Sequence, residues 1–302
     1  MNSNWSQFVQ TTQELYQSRS MRFHDGNKAL WLSAIGVQDG MDVLEVGCAG
    51  GSFCHRMKTY LPNIKITGLD FDTGHIAWAK EKSAALGLDC TFVNGDATAM
   101  PFGDSSFDLC YSYTVAEHIP TELFLSEQYR VLKPGGKIAV LSVRTRMGLT
   151  DESWMEARSP DEARLFDKAW RTAGSYDKEH GVGAHEMTEQ GYPKALERAG
   201  FHDVNAEFLT VVYYAPDNAG VSREMAHAQI NACRAHVLAS AEKAFRIAPD
   251  ALTDGEKQTL ARLVNERFDK RIAQYGAGEK RWDISASTVL IASGIKQGGV
   301  VL

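Results

Sequence analysis

The chain has 302 residues, 44% of them hydrophobic and 23% charged, with a formal net charge of -6. That length suits one large α/β domain with insertions, and the ordinary composition speaks against disorder and against membrane spanning. The acidic balance disfavours a nonspecific nucleic-acid binder, which needs a concentrated basic surface, and the five cysteines form no Cys-x-x-Cys pair, which disfavours a disulfide framework or structural zinc.

The first forty residues read as helical, with a partial stripe at Phe8, Leu15 and Tyr16 and a second at Ala29–Leu32 with Ile35. From Gly40 onward, apolar runs alternate with amphipathic stretches. The runs 42–46, 64–69, 90–94, 107–112 and 137–143 are predicted strands, and their continuous hydrophobicity implies cover on both faces. Residues 52–60, 73–86 and 121–132 are predicted crossover helices, and Lys133-Pro134-Gly135-Gly136 predicts a sharp turn into the fifth strand. Residues 144–187 are polar and irregular with one helix near 161–172, the pattern of a lid or substrate-facing insertion.

A helix over 188–199 is expected to stop at Gly200, and 204–214 is a predicted sixth strand. Two long helices follow over 221–245 and from Thr253, whose spacing to Glu256 is that of a capping box, to Gly276. Residues 287–293 form the last strand. The expected fold is therefore a Rossmann-like, doubly wound seven-stranded sheet with an antiparallel last strand and helical insertions. Its expected divisions are an N-terminal helical segment (1–39), a core (40–215) containing the lid insertion, a helical insertion (216–284), and a final strand with tail (285–302).

Three short motifs end successive predicted strands. They are Glu45-Val46-Gly47-Cys48-Ala49-Gly50-Gly51, then Asp70, then Gly95-Asp96-Ala97. A glycine-rich turn followed by an acid is shared with dinucleotide-binding domains, so the first two motifs leave both readings open. With the third motif, the segment 40–143 resembles the class I S-adenosylmethionine-dependent methyltransferases, and most closely the branch containing ubiquinone and menaquinone methyltransferases. The resemblance implies that Glu45, Gly47, Cys48, Ala49 and Gly51 pass under the methionine part of S-adenosylmethionine. It further implies that Asp70 takes the ribose hydroxyls, that Asp96 and Ala97 meet the adenine edge, and that Phe71 or Met100 packs on the ring.

In the same family the segment 113–119, holding Tyr113, Glu117 and His118, faces the sulfonium and its methyl group. The implied reaction is in-line methyl transfer to an O, N, S or C nucleophile of a small-molecule acceptor, releasing S-adenosylhomocysteine. The alternatives are a noncatalytic binding protein and transfer of another group from the same cofactor. His118 is the candidate base, with His180, His185 and Glu186 as further choices whose spacing fits no metal-ligand pattern. Either the bland reading of His118, a residue at the start of a helix, or the catalytic one fits the sequence.

Tyr16 and Arg22, with Arg19 and Phe23, are candidates to close over the methionine end, and Arg144 and Arg146 lie where an acceptor would enter. The helical insertion offers a surface for capping the substrate or for a homodimer contact. No run approaches the ~20 apolar residues of a membrane span and the N-terminus lacks a signal-like core, so a cytoplasmic location is expected.

Overall fold

Alternation of apolar strands with amphipathic helices produces the element order that the pattern demands. The structure, a computed structural model, describes residues 5–144, 157–173 and 176–298. In chain order, α1 (Trp5–Phe8), α2 (Thr12–Arg22) and α3 (Lys28–Ile35) precede β1 (Asp42–Val46), α4 (Ser52–Tyr60), β2 (Lys65–Asp70), α5 (Thr73–Leu86) and β3 (Thr91–Asn94). Then come β4 (Phe107–Tyr113), α6 (Thr121–Val131), β5 (Leu132–Val143), α7 (Pro160–Ala173), α8 (Tyr176–Glu179) and α9 (Gly191–Arg198). The chain ends with β6 (Phe201–Tyr214), α10 (Arg223–Ile247), α11 (Asp254–Gly276) and β7 (Ser285–Lys296).

The sheet order is β3-β2-β1-β4-β5-β7-β6. Neighbours from β3 to β5 run parallel, while β7 pairs antiparallel with β5 from Lys137↔Ile295 to Val143↔Val289. Strand order reverses between β1 and β4, so the carboxyl ends of those strands open the crevice where ligands bind in such sheets. One face of the sheet packs on a core around Trp31, Phe53, Tyr111 and Leu141, and the other on a core around Leu44, Phe124, Ile138 and Tyr192. This is the Rossmann-like arrangement expected from the sequence, last strand included.

Local differences have local causes. Lys133 to Gly136 do not form a separate turn: β5 already pairs at Phe107↔Leu132, then shifts register before resuming at Leu109↔Lys137. Gly135, at φ +79°, lies within that irregularity, where the chain takes a left-handed conformation. The helix expected from 188 begins at Gly191, after a turn closed by the Gly191 amide on the Thr188 carbonyl. The expected capping box at Thr253 and Glu256 is formed, an arrangement worth about 1 kcal/mol.

The chain forms two compact units: Met1–Met147 with Gly181–Val211 and Thr288–Leu302, and Gly148–His180 with Val212–Ser287. In the second unit α7, α10 and α11 pack together. Buried Arg267 there forks onto Glu162 at 2.8 and 3.0 Å, and buried Arg271 joins Asp283 at 2.6 Å and Asp217 at 2.8 Å. No helix among the described residues is long and apolar enough to cross a membrane.

Candidate active site

The loop after β1 is shaped by residues in the left-handed region. Gly47 has φ +74°, and a Cβ there would fall 2.4 Å from a Val115 methyl carbon, so a side chain is excluded by strain and by space together. Ala49 adopts φ +46°, a conformation that costs a non-glycine residue free energy. Its amide is what the strain aims: Ala49 N–H donates to Asp70 Oδ2 at 2.8 Å, while the Gly47 and Cys48 amides share the Leu69 carbonyl. The ends of β1 and β2 are thereby tied into one surface.

Asp70 accepts a second amide, Asp72 N–H, on Oδ1 at 2.9 Å. Burial raises its carboxyl above the usual aspartate range, partly offset by nearby His75 and by the two amides. Each oxygen keeps acceptor capacity, since a carboxylate has about four lone-pair sites and the two amides use two. Phe71 follows immediately with 40% of its surface exposed, an uncovered ring beside the carboxylate.

Asp96 folds into its own turn: Oδ1 accepts from both Thr98 N–H and Thr98 Oγ1, each at 2.7 Å. The turn-residue geometry is thus realised on one oxygen. Gly95 N–H and the Asn94 side chain bind the Asp70 carbonyl at 3.0 Å, joining this loop to the end of β2. Ala97 is buried, and so is Met100, whose side chain belongs to the core; of the two residues suggested for ring packing, Phe71 is the exposed one.

Glu45 is turned away from the loop's open side. It is buried, and its Oε2 accepts from Cys54 N–H at 3.1 Å and from the Cys54 thiol at 2.9 Å. Gly51, the residue before α4, has no side chain to cap the helix, so Glu45 supplies an acceptor for one of its orphan amides. Burial pushes the Glu45 carboxyl up to about 7 against the lowering by these bonds. Cys48 is buried beside it and directs its thiol to the Ala49 carbonyl at 3.6 Å.

The N-terminal helices are pinned across this edge. Ser6 N–H donates to Asp72 at 2.7 Å, Thr12 pairs with His75 at 2.8 Å, and Ser20 meets Ser52 at 3.0 Å. Arg19 donates to Thr114 at 2.7 Å and lies 5.5 Å from the centre of the Tyr113 ring. Desolvation lowers the Arg19 pKa, opposed by Tyr113, Glu45 and Glu117. Arg22 binds Ser18 of its own helix at 2.8 Å, whereas Tyr16 reaches His55 at 3.3 Å and packs at a tilt against the Trp78 ring. Arg19 is thus a cation that α2 presents to the end of β4.

At the ends of β4 and β5, Glu117, Ser142, Arg144 and Tyr192 form a buried polar group. The Ser142 hydroxyl donates to Glu117, Arg144 Nη2 donates to Ser142 at 2.8 Å, and Tyr192 reaches Ser142 at 3.3 Å. Arg144 also donates to the Met187 carbonyl at 2.9 Å and lies 3.8 and 3.7 Å from Glu186 and Glu189. His118 accepts from Gly183 N–H at 2.9 Å, and its ring lies 4.7 Å from that of Trp5. His185 enters through its backbone, its N–H donating to the Glu117 carbonyl, and His180 stacks on Tyr176 at 3.9 Å. Arg146 lies outside the described residues.

Sequence reading missed the clasp on the loop after β3. Arg130 donates to the carbonyls of Met100 and Phe102 at 3.0 and 2.7 Å and pairs with Asp104 and Glu127, while Glu127 accepts Met100 N–H at 2.6 Å. The available signal was an Arg at i+3 from a Glu ahead of the Lys-Pro-Gly-Gly segment.

A family model described as a methyltransferase domain matches residues 44–140, the span from β1 through β5 that carries all three strand-end motifs. Phosphoethanolamine N-methyltransferase 1 of Triticum aestivum is 24% identical over 85% of this chain and 43% of its own length. Sterol 24-C-methyltransferase of Yarrowia lipolytica is 31% identical over 60% of this chain and 46% of its own. Demethylmenaquinone methyltransferase of Thermus thermophilus is 34% identical over 33% of this chain and 46% of its own. The chain thus spans less than half the length of these relatives.

Among solved structures, the Haemonchus contortus phosphoethanolamine N-methyltransferase 2 complex with phosphomonomethylethanolamine and S-adenosylhomocysteine covers 98% of this chain and 61% of its own. Its TM-score is 0.57 at 15% identity, a likeness of fold. The strand order and the motif-bearing strand ends thus coincide with a methyltransferase-domain match over residues 44–140, set in a Rossmann-like sheet.

Proposed function

We propose that this chain binds S-adenosylmethionine across the carboxyl ends of β1, β2 and β3 and transfers its methyl group to a small-molecule nucleophile. The observation that carries the reading is Asp70: a carboxylate at the end of β2, braced by the Ala49 and Asp72 amides, with acceptor capacity left for two ribose hydroxyls. Gly47 lets the loop that would carry the methionine part turn tightly past Val115, Phe71 offers a face to the adenine, and Asp96 is the acceptor for its amino group in this reading. Arg19 at the end of β4 is the candidate partner for the methionine carboxylate.

Methyl transfer from a sulfonium needs little activation. The acceptor's electron pair forms the new bond to the methyl carbon as the carbon–sulfur bond breaks, and neutral S-adenosylhomocysteine leaves. Alignment of the two reactants supplies much of the acceleration in such a step, with effective molarities of about 10⁵ M or more in favourable systems.

For the acceptor, the wheat phosphoethanolamine enzyme aligns over 85% of this chain, against 60% and 33% for the sterol and menaquinone enzymes, so amines are the first class to test. Arg144 does not serve as a phosphate anchor in this reading, because Ser142, Met187, Glu186 and Glu189 already surround its guanidinium.

Calorimetry with S-adenosylmethionine tests the first half of the proposal; absent heat from folded protein overturns it. S-adenosylhomocysteine release with phosphoethanolamine, a sterol, or demethylmenaquinone as acceptor tests the second. Binding without turnover on any of these or on a metabolite extract would favour a noncatalytic cofactor-binding protein.

A further inference from the structure

His118 closes the short 3-10 turn Ala116–His118 that follows β4. Its Nδ1 lies 2.9 Å from the backbone nitrogen of Gly183, a group that only donates. Nδ1 must therefore carry the lone pair, and the proton of the neutral imidazole sits on Nε2.

The segment bringing Gly183 to the ring is itself anchored on both sides of that amide. Before it, Gly181 accepts a turn bond from Ala184; after it, His185 N–H donates to the Glu117 carbonyl at 2.8 Å and the Met187 carbonyl accepts from Arg144 at 2.9 Å. Arg144 is only 5% exposed and is held by Ser142, which also binds the Glu117 carboxylate. From the other side the Trp5 ring lies against the imidazole. The opposite tautomer would set two N–H groups against each other, and proton uptake at Nδ1 would have to expel the Gly183 amide from an anchored segment.

We propose that the Gly183 amide is a tautomer lock, which holds His118 as an Nε2–H donor and removes it as a proton acceptor in the reaction. The lock deepens the methyl-transfer reading and takes its chemical setting from it: an acceptor proton, where there is one, leaves through a group other than His118. His118 then orients rather than deprotonates, and Gly183 is the residue that positions it.

Long-range proton–nitrogen NMR on the full chain with nitrogen-15 histidine, assigned through His118→Asn, reads the tautomer directly. The expected spectrum at neutral pH shows Nδ1 unprotonated and Nε2 protonated; a protonated Nδ1 overturns the lock. Hydrogen exchange at the Gly183 amide gives an independent reading. Loss of the acceptor in His118→Ala should speed exchange about tenfold, while His118→Asn, whose amide oxygen stands near the Nδ1 position, should hold it within about threefold of wild type. Unchanged protection in His118→Ala would also overturn the lock. Neither measurement needs cofactor or acceptor, so a failed S-adenosylmethionine titration would remove the methyl-transfer reading and leave this one separately decided.

Discussion

The two units use buried charge in opposite ways. In the second, Glu162 meets Arg267, and Asp217 and Asp283 share Arg271, so each of these buried acids faces an arginine. Asp217 also takes the backbone amides of Arg281 and Trp282, and Asp283 takes the Tyr214 hydroxyl. In the first unit, Asp70 and Glu45 are held by backbone amides and a thiol rather than by cations. A carboxylate neutralised by an arginine is a structural part; of the two braced by neutral donors, Glu45 is turned to the first turn of α4, while Asp70 keeps lone pairs at the end of β2 for a ligand.

The largest effect expected from this contrast lies in the second unit. Arg267→Ala strands the buried Glu162 carboxylate and should cost about 3–5 kcal/mol in a denaturant titration, while S-adenosylmethionine affinity of the remaining folded protein stays near wild type. An equal loss of affinity would break the division between structural and ligand-facing charge. Asp70→Ala should do the reverse. Removal of an acceptor of two charge-assisted bonds predicts a fall in cofactor affinity of about 100-fold or more by calorimetry. Unchanged affinity would remove Asp70 from the site.

Glu45 sharpens the contrast through pH. Its carboxyl is raised to about 7 by burial, above the ordinary 4.5, so between those values the folded protein holds a proton that the unfolded chain releases. The stability contributed by that proton is fully present below about 4.5 and is lost as pH rises through 7, a change on the order of 3 kcal/mol. Glu45→Gln, which keeps an acceptor for the Cys54 amide, should flatten that part of the stability profile. A profile identical to wild type would show that Glu45 does not carry it.

The smallest effect is expected at Arg130, which is partly exposed and clasps the loop at 100–104 through main-chain carbonyls. Arg130→Met should weaken cofactor binding by about tenfold with little change in the affinity of the fold for denaturant, since one charged clasp is worth about 1–2 kcal/mol. A matching loss of global stability would reassign it to the fold.

Much of the first unit was legible because its signals are local. The strand over 42–46 and the helices over 52–60 and 73–86 have the predicted bounds, each delimited by glycine, by an acidic cap or by a change of period. Asp70 and Gly47 were legible for the same reason: each sits where a strand ends, and strand ends in a doubly wound sheet converge. Glu45 shows where this reasoning stops. Its place in the motif was readable, but its direction depended on Cys54, nine residues on, presenting an amide and a thiol to it.

By itself, then, the sequence determined the order and type of elements and the acids and glycines at the strand ends, because hydrophobic period and turn chemistry act over a few residues. Tertiary structure alone decided that Arg19, rather than Arg22, reaches Thr114, that Arg130 clasps the loop at 100–104, and that Gly183 meets His118 across 65 positions of chain. Those pairings depend on which side chain a folded surface happens to bring within hydrogen-bond reach, and no local pattern encodes that distance.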